Sequence, residues 1–167
     1  MSAVAVSPVE AGDARASVRA WLRLLACTAM VERAVRARLR EEFGTTLPRF
    51  DVLAQLDAAA RDRAGGLTMS ELSRRLMVTN GNLTALVGRL AEERLVRRAS
   101  PPHDRRAQLV SLTAAGRRAL DAMTPAHHAW IDAMFAGLTP AELSQLHALL
   151  GRLRTSVRDA LERPEGA

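Results

Sequence analysis

Apolar residues recur every three or four positions along most of the chain, a spacing typical of helices that bury one face. It predicts a long first helix over residues 16–43, which Gly44 ends, and a second helix over residues 49–60, which Pro48 opens. Helical periodicity returns near residue 113 and continues almost to the C-terminus. The pattern therefore predicts a mainly helical protein.

Two short helices are predicted in the middle of the chain. Thr68 and Glu71 have the spacing of a capping box, which predicts the start of one helix that ends near Met77. Thr79 is the predicted N-cap of the next helix, in which one apolar stripe leaves the polar side chains on the other side. Two short helices joined by a few residues predict a helix-turn-helix.

The pattern changes after Leu95, where two short strands are predicted around a Pro-Pro loop. A hairpin beside a helix-turn-helix is called a wing. Two helices follow, over residues 113–135 and from a second capping box at Thr139, and the apolar stripe of the last helix requires a surface to pack against. The predicted fold is mainly α with a small β-hairpin wing: a winged helix-turn-helix lobe plus a helical dimerisation region.

Positive charge is concentrated in one segment. All 24 basic residues other than histidine are Arg, and the chain carries a net charge of +6. Residues 94–118 contain seven Arg and only Asp104 as an acid, so this segment alone accounts for the excess. A solvated surface is the ordinary interpretation of such a cluster, but Arg binds phosphate through two parallel hydrogen bonds, and the position beside a helix-turn-helix favours contact with DNA.

The cysteine content, the N-terminal segment and the histidine spacing argue against a disulfide-bonded, a secreted and a metal-binding protein, respectively. Cys27 is the only cysteine, so no intramolecular disulfide can form, and we expect a cytoplasmic protein. Cys27 lies among apolar residues of the first predicted helix, so we expect this thiol to be buried and inert. Whether Cys27 has a redox role stays open. Residues 1–15 lack the basic start and apolar run of a signal peptide and are expected to be a flexible tail. The adjacent His127 and His128 point about 100° apart on a helix, which does not favour metal binding.

No motif of a catalytic site is present: the sequence has no phosphate-binding glycine loop, no G-x-S-x-G and no H-E-x-x-H. We expect no enzyme activity, no metal and no cofactor.

The B-DNA major groove, about 12 Å wide, admits a helix whose first turns reach base edges with amide and hydroxyl side chains. Asn80 and Asn82 are such side chains, although both could instead be capping residues. Arg105 and Arg106 at the wing tip can reach phosphates or a minor groove. The residues predicted to contact DNA are Ser70, Arg74, Thr79, Asn80, Gly81, Asn82, Thr84, Arg89, His103, Asp104, Arg105 and Arg106.

Residues 78–116, VTNGNLTALVGRLAEERLVRRASPPHDRRAQLVSLTAAG, resemble the signature of the MarR family of bacterial winged helix-turn-helix regulators. The match includes a recognition helix, a wing with Asp104 and Arg106, and then Leu-Thr-x-x-Gly ending at Gly116. The resemblance implies that Asp104 braces the wing through ion pairs and that Arg106 enters the minor groove.

The resemblance covers about residues 16–162, taken as a single domain. It implies an intertwined homodimer in which residues 16–46 and 113–162 provide the dimerisation helices and residues 47–112 form the DNA-binding lobe.

We therefore expect a sequence-specific, double-stranded-DNA-binding transcription regulator, a ligand-responsive repressor that binds a pseudo-palindromic operator. The resemblance also implies a small aromatic effector, for which Trp21 and Arg49 are weak candidate ligands. Two alternatives are kept: a winged-helix module that binds another protein, and a small-molecule-binding helical dimer with no role on DNA.

Overall fold

The computed structural model describes residues 11–62, 65–99 and 108–162. Six helices and three short strands follow one another along these ranges. In chain order they are α1 (Ala11–Phe43), α2 (Leu47–Arg61), β1 (Leu67–Thr68), α3 (Met69–Leu76), α4 (Asn80–Glu92), β2 (Val96–Ala99), β3 (Leu109–Leu112), α5 (Ala114–Phe135) and α6 (Pro140–Glu162). The mainly helical prediction is confirmed.

The first two helices have the predicted order and nearly the predicted ends. α1 begins at Ala11, five residues before the expected start, and ends where Gly44 adopts a φ of +60° and donates its N–H to the Arg40 carbonyl. α2 has proline in its first turn, as predicted. Phe50 on α2 is buried, and its ring stacks on that of His127 on α5 with 4.5 Å between the centroids. That histidine therefore has a packing role.

The capping box at the start of α3 is confirmed. Thr68 Oγ1 accepts a hydrogen bond from the Glu71 backbone N–H at 3.2 Å, and the Thr68 backbone N–H donates to Glu71 Oε2 at 2.8 Å. These bonds satisfy donors that an uncapped helix start would leave free. The Thr68 bonds also hold the pKa of the Glu71 carboxyl below its ordinary value.

The β-structure is a three-stranded antiparallel sheet in the order β1-β3-β2. β2 and β3 form the predicted hairpin, with Val96 opposite Leu112 and Ala99 opposite Leu109. β1, which the sequence analysis did not predict, pairs Leu67 with Val110. Before it, Gly66 lies so close to the chain that an added Cβ would be 2.7 Å from the Val110 carbonyl oxygen.

The chain divides into two compact units, residues 1–127 and 128–167. Within the described part of the first unit, α2, α3, α4 and the sheet surround an aliphatic core. Its fully enclosed side chains are Leu39, Val52, Leu56, Leu67, Leu72, Leu83, Val87, Leu90 and Val110. In the second unit, α6 opens with a capping box between Thr139 and Glu142, as predicted, and no α6 side chain is buried.

Candidate nucleic-acid interface

α4 separates its apolar and polar side chains cleanly. Leu83, Val87 and Leu90 are 0% exposed and attach one face of the helix to the core. Asn82 and Thr84 lie on the exposed face, as the sequence analysis predicted. The helix therefore carries amide and hydroxyl side chains on its exposed face, while its opposite face is packed into the core.

The start of α4 is open on its solvent side. Thr79 occupies the N-cap position, but its hydroxyl forms no capping hydrogen bond with the described part of α4, so the predicted cap is one of position only. A Cβ added at Gly81 would meet no described atom within 4 Å. The backbone of Asn80 begins the helix; its side chain lies outside the described structure. This end of α4 can therefore be approached closely by another molecule.

The turn between α3 and α4 is short and held from within. Met77 adopts a left-handed conformation with φ of 54°, and Ser73 Oγ donates to the Val78 carbonyl at 2.6 Å. Ser70 and Arg74 on α3 are both exposed, as is Arg89 on α4. Two exposed guanidinium groups thus accompany the polar face of α4.

Three members of the Arg cluster have partners within the chain. Arg97 Nε donates to Ser111 Oγ at 2.9 Å across the hairpin, and Arg98 Nη2 donates to the Thr84 carbonyl at 3.3 Å. Arg117 forms an ion pair with Asp57. Arg117 thus has an acidic partner, whereas Arg97 and Arg98 bond to neutral oxygen atoms and stay exposed, so contact between this cluster and DNA stays a prediction.

The wing is described only at its strands. The predicted DNA contacts His103, Asp104, Arg105 and Arg106 fall within residues 100–107, outside the described residues. Their roles stay predictions. The flanking register, in which Ala99 faces Leu109, confirms the hairpin that carries them.

Arg49, a weak candidate ligand residue, is engaged by an acid at the end of α4. Its Nη1 donates to Glu93 Oε1 at 2.8 Å, and its Nη2 contacts Oε2, so both arms of the guanidinium are used. The hydrogen bond from Arg49 and its positive charge hold the pKa of Glu93 below the ordinary value. Trp21, the other candidate, is 57% exposed on α1. Effector binding by either residue stays a prediction.

Sequence reasoning missed a buried carboxylate. Asp57 on α2 is 5% exposed, and its two oxygens receive Arg117 of α5 and Arg61 one helical turn further along α2. The available signal was its place directly after Leu56 on the apolar stripe, where an acid requires partners.

The prediction that Cys27 is buried was wrong for this chain, since the thiol is exposed on α1. The reason is that α1 has its buried residues, Val35 and Leu39, well towards its C-terminal end. Other apolar side chains of α1 that precede Val35, among them Leu22 and Met30, are exposed as well.

The described ranges contain no cluster of three or more histidine, cysteine or acidic side chains arranged to hold a metal ion. Over those same ranges no helix combines the length and hydropathy needed to span a membrane.

Comparison with known proteins identifies several relatives. A family model described as the MarR family matches residues 43–107. The transcriptional activatory protein BadR of Rhodopseudomonas palustris is 33% identical over 114 residues, which are 67% of this chain and 63% of BadR. This chain thus spans less than two thirds of the length of BadR. The uncharacterized HTH-type transcriptional regulator YcgE of Bacillus subtilis is 30% identical over 122 residues, 72% of this chain and 73% of that protein.

Among solved structures, the fold is similar to Sco3205, a MarR family transcriptional regulator from Streptomyces coelicolor crystallised in complex with DNA. The TM-score is 0.72 at 26% sequence identity, with 87% of this chain and 90% of Sco3205 covered.

Proposed function

Because the chain belongs to the MarR family of transcriptional regulators, we propose that it binds double-stranded DNA sequence-specifically and regulates transcription, with α4 as the recognition helix. The observation that carries the proposal is the division of α4 into a fully buried apolar face and an exposed face bearing Asn82 and Thr84. The DNA complex of the similar regulator Sco3205 supports it.

In this mechanism two kinds of contact have separate tasks. Asn82 and Thr84 can form hydrogen bonds with base edges in the major groove, which carry sequence information. Exposed Arg74 and Arg89, together with the predicted wing residue Arg106, can bind phosphates and supply affinity that depends on salt but little on sequence.

We propose that the DNA-binding form is a homodimer, which sets two α4 helices about 34 Å apart on a pseudo-palindromic operator. Support comes from the terminal helices. α1 exposes Leu22 and Leu25, and α6 exposes Leu150 and Leu153, each side chain at least 40% accessible. A second copy of the chain would remove such apolar surface from water.

The finer regulatory features are also proposals: cytoplasmic location, repression and release of DNA by a small aromatic effector. The relatives are transcription regulators rather than enzymes. Since BadR is named an activatory protein, the sign of regulation should be measured with a promoter fusion in the presence and absence of the gene.

The direct test is fluorescence anisotropy with duplex DNA from upstream of its own gene and a shuffled duplex, at two salt concentrations. Asn82→Ala should weaken binding to the preferred duplex by about 1–3 kcal/mol and change binding to shuffled DNA little. Arg106→Ala should weaken both and reduce the salt dependence. Arg152→Ala, an exposed α6 site, provides a charge-matched control. No binding of the wild type to any duplex at low salt would refute the proposal and favour a protein-binding winged helix.

A further inference from the structure

The recognition helix is attached at its C-terminal end to α2 by a two-pronged ion pair. Arg49 Nη1 lies 2.8 Å from Glu93 Oε1, while Nη2 contacts the other carboxylate oxygen. The two residues are 44 positions apart in the chain, and their side chains are 23% and 46% exposed. The contact therefore joins two separate helices of the DNA-binding lobe.

Helix electrostatics alone would not favour these residues at these places. Arg49 lies in the first turn of α2, where the backbone N–H groups create positive potential, and Glu93 is the C-cap of α4, where the carbonyls create negative potential. Each charge is therefore at the less favourable helix end. Their mutual pairing offsets this, which is consistent with the raised pKa of Arg49 and the lowered pKa of Glu93.

The Arg49–Glu93 pair constrains the orientation of α4, which the apolar core contacts alone do not fix. Burial of Leu83, Val87 and Leu90 fixes the distance of α4 from the core, but apolar contacts have little directionality. A planar guanidinium facing a carboxylate fixes both distance and orientation. An α-helix rises about 1.5 Å per residue, so Glu93 and Asn82 lie at similar distances on either side of Val87. If α4 pivots as a rigid body about Val87, a 1 Å displacement of Glu93 moves Asn82 by about 0.8 Å in the opposite direction.

We propose that Arg49 and Glu93 are positioning residues for DNA recognition: their ion pair sets the orientation of α4 and thereby the placement of its base-contacting end. This inference rests on the proposed DNA-binding function. It assigns a task to two residues that need not touch DNA themselves.

If the ion pair served only to stabilise the fold, its removal would lower the melting temperature, and the positioning role predicts otherwise. A partly exposed ion pair contributes little to folding stability, and removing Glu93 also removes an unfavourable charge from a helix C-terminus. Loss of the pair should therefore leave thermal stability nearly unchanged while reducing affinity for the preferred duplex.

The experiment compares Arg49→Gln, Glu93→Gln and the reversed pair Arg49→Glu/Glu93→Arg with wild type. Each single variant should bind the preferred duplex about tenfold more weakly, with a smaller change on shuffled DNA, and its melting temperature should stay within about 2 °C. The reversed pair restores the contact and places both charges at favourable helix ends, so it should return affinity to within about threefold of wild type. Glu92→Gln, at the exposed neighbouring acid, is the matched control and should bind like wild type.

A second measurement keeps this test separate from the DNA-binding proposal. Amide chemical shifts of residues 80–84, recorded without DNA, should move in both single variants and return towards wild type in the reversed pair. Unmoved shifts together with unchanged affinity, or failure of the reversed pair to restore either quantity, would overturn the positioning role. If wild type binds no duplex while the shifts behave as stated, the DNA-binding function fails and the Arg49–Glu93 pair still orients α4.

Discussion

Removal of Arg117 should destabilise the protein, because it leaves a buried carboxylate with one partner instead of two. Asp57 is 5% exposed, and one of its oxygens contacts Arg117 of α5. The other lies 2.7 Å from Arg61 Nη2, on a side chain that is 74% exposed. The contact with Arg117 thus joins α2 to α5, whereas the contact with Arg61 stays within α2.

The size of the effect follows from burial. A hydrogen bond to a charged group contributes about 1.5–3 kcal/mol, and breaking a fully buried ion pair costs about 3–5 kcal/mol. Arg61 continues to neutralise Asp57, and the Arg117 side chain is 45% exposed, so both figures must be discounted. We expect Arg117→Ala to lower the free energy of unfolding by about 2 kcal/mol, which corresponds to a melting temperature about 4–8 °C lower.

Urea unfolding of Arg117→Ala, Asp57→Asn and the double variant, at one fixed protein concentration, measures the coupling between the two residues. The double variant should lose less stability than the sum of the single losses, by about 1 kcal/mol or more. Arg118→Ala, at the adjacent exposed arginine, should change stability by less than about 0.5 kcal/mol. Equal losses for Arg117→Ala and Arg118→Ala, or strictly additive effects, would refute this account of the buried carboxylate.

Four further substitutions test other parts of the fold by urea unfolding. Gly116→Ala should cost about 3 kcal/mol, because its Cβ would lie 1.9 Å from the Leu95 carbonyl oxygen; a loss below 1 kcal/mol would contradict the close approach. Burial raises the pKa of Asp51 from 3.8 to about 6, so the folded state binds this proton more tightly and stability falls as pH rises between these values. Asp51→Asn should remove that fall and be about 1–2 kcal/mol more stable than wild type at pH 7, and an unchanged pH profile would count against it. Met77→Gly and Arg94→Gly should each gain about 0.5–1 kcal/mol, since both positions have positive φ, and a loss at both would exclude strain there.

Local patterns predicted the helix-turn-helix well because its signals are short-range. The capping box that joins Thr68 and Glu71 spans four residues, and the stripe through Leu83, Val87 and Leu90 follows directly from the helical repeat. The exposed placement of Asn82 is the complement of that stripe. These features depend on neighbouring residues, so the sequence contains them nearly complete.

The missed features depend on residues far apart in the chain. β1 is two residues long and forms by pairing with β3, so it is too short to show the alternating pattern that predicts a strand. The partners Arg49 and Glu93 are 44 positions apart, and Asp57 and Arg117 are 60 apart. The place of Asp57 on an apolar stripe signals that it needs a partner, but nothing in the sequence identifies Arg117 as that partner. Long-range pairing of this kind is determined by how helices pack, which a single sequence does not encode locally.

The error at Cys27 shows what periodicity leaves undetermined. The stripes on α1 and α4 have the same spacing, yet Leu83 on α4 is fully buried by its own chain whereas Leu25 on α1 is 49% exposed. A hydrophobic stripe shows that a face requires cover and does not show which molecule provides it. To predict burial of Cys27 from the apolar residues around it is to assume that the same chain covers them. The proposed homodimer would cover the exposed face of α1 with a second copy of the chain, and burial of this thiol would then be a property of the assembly rather than of the single chain.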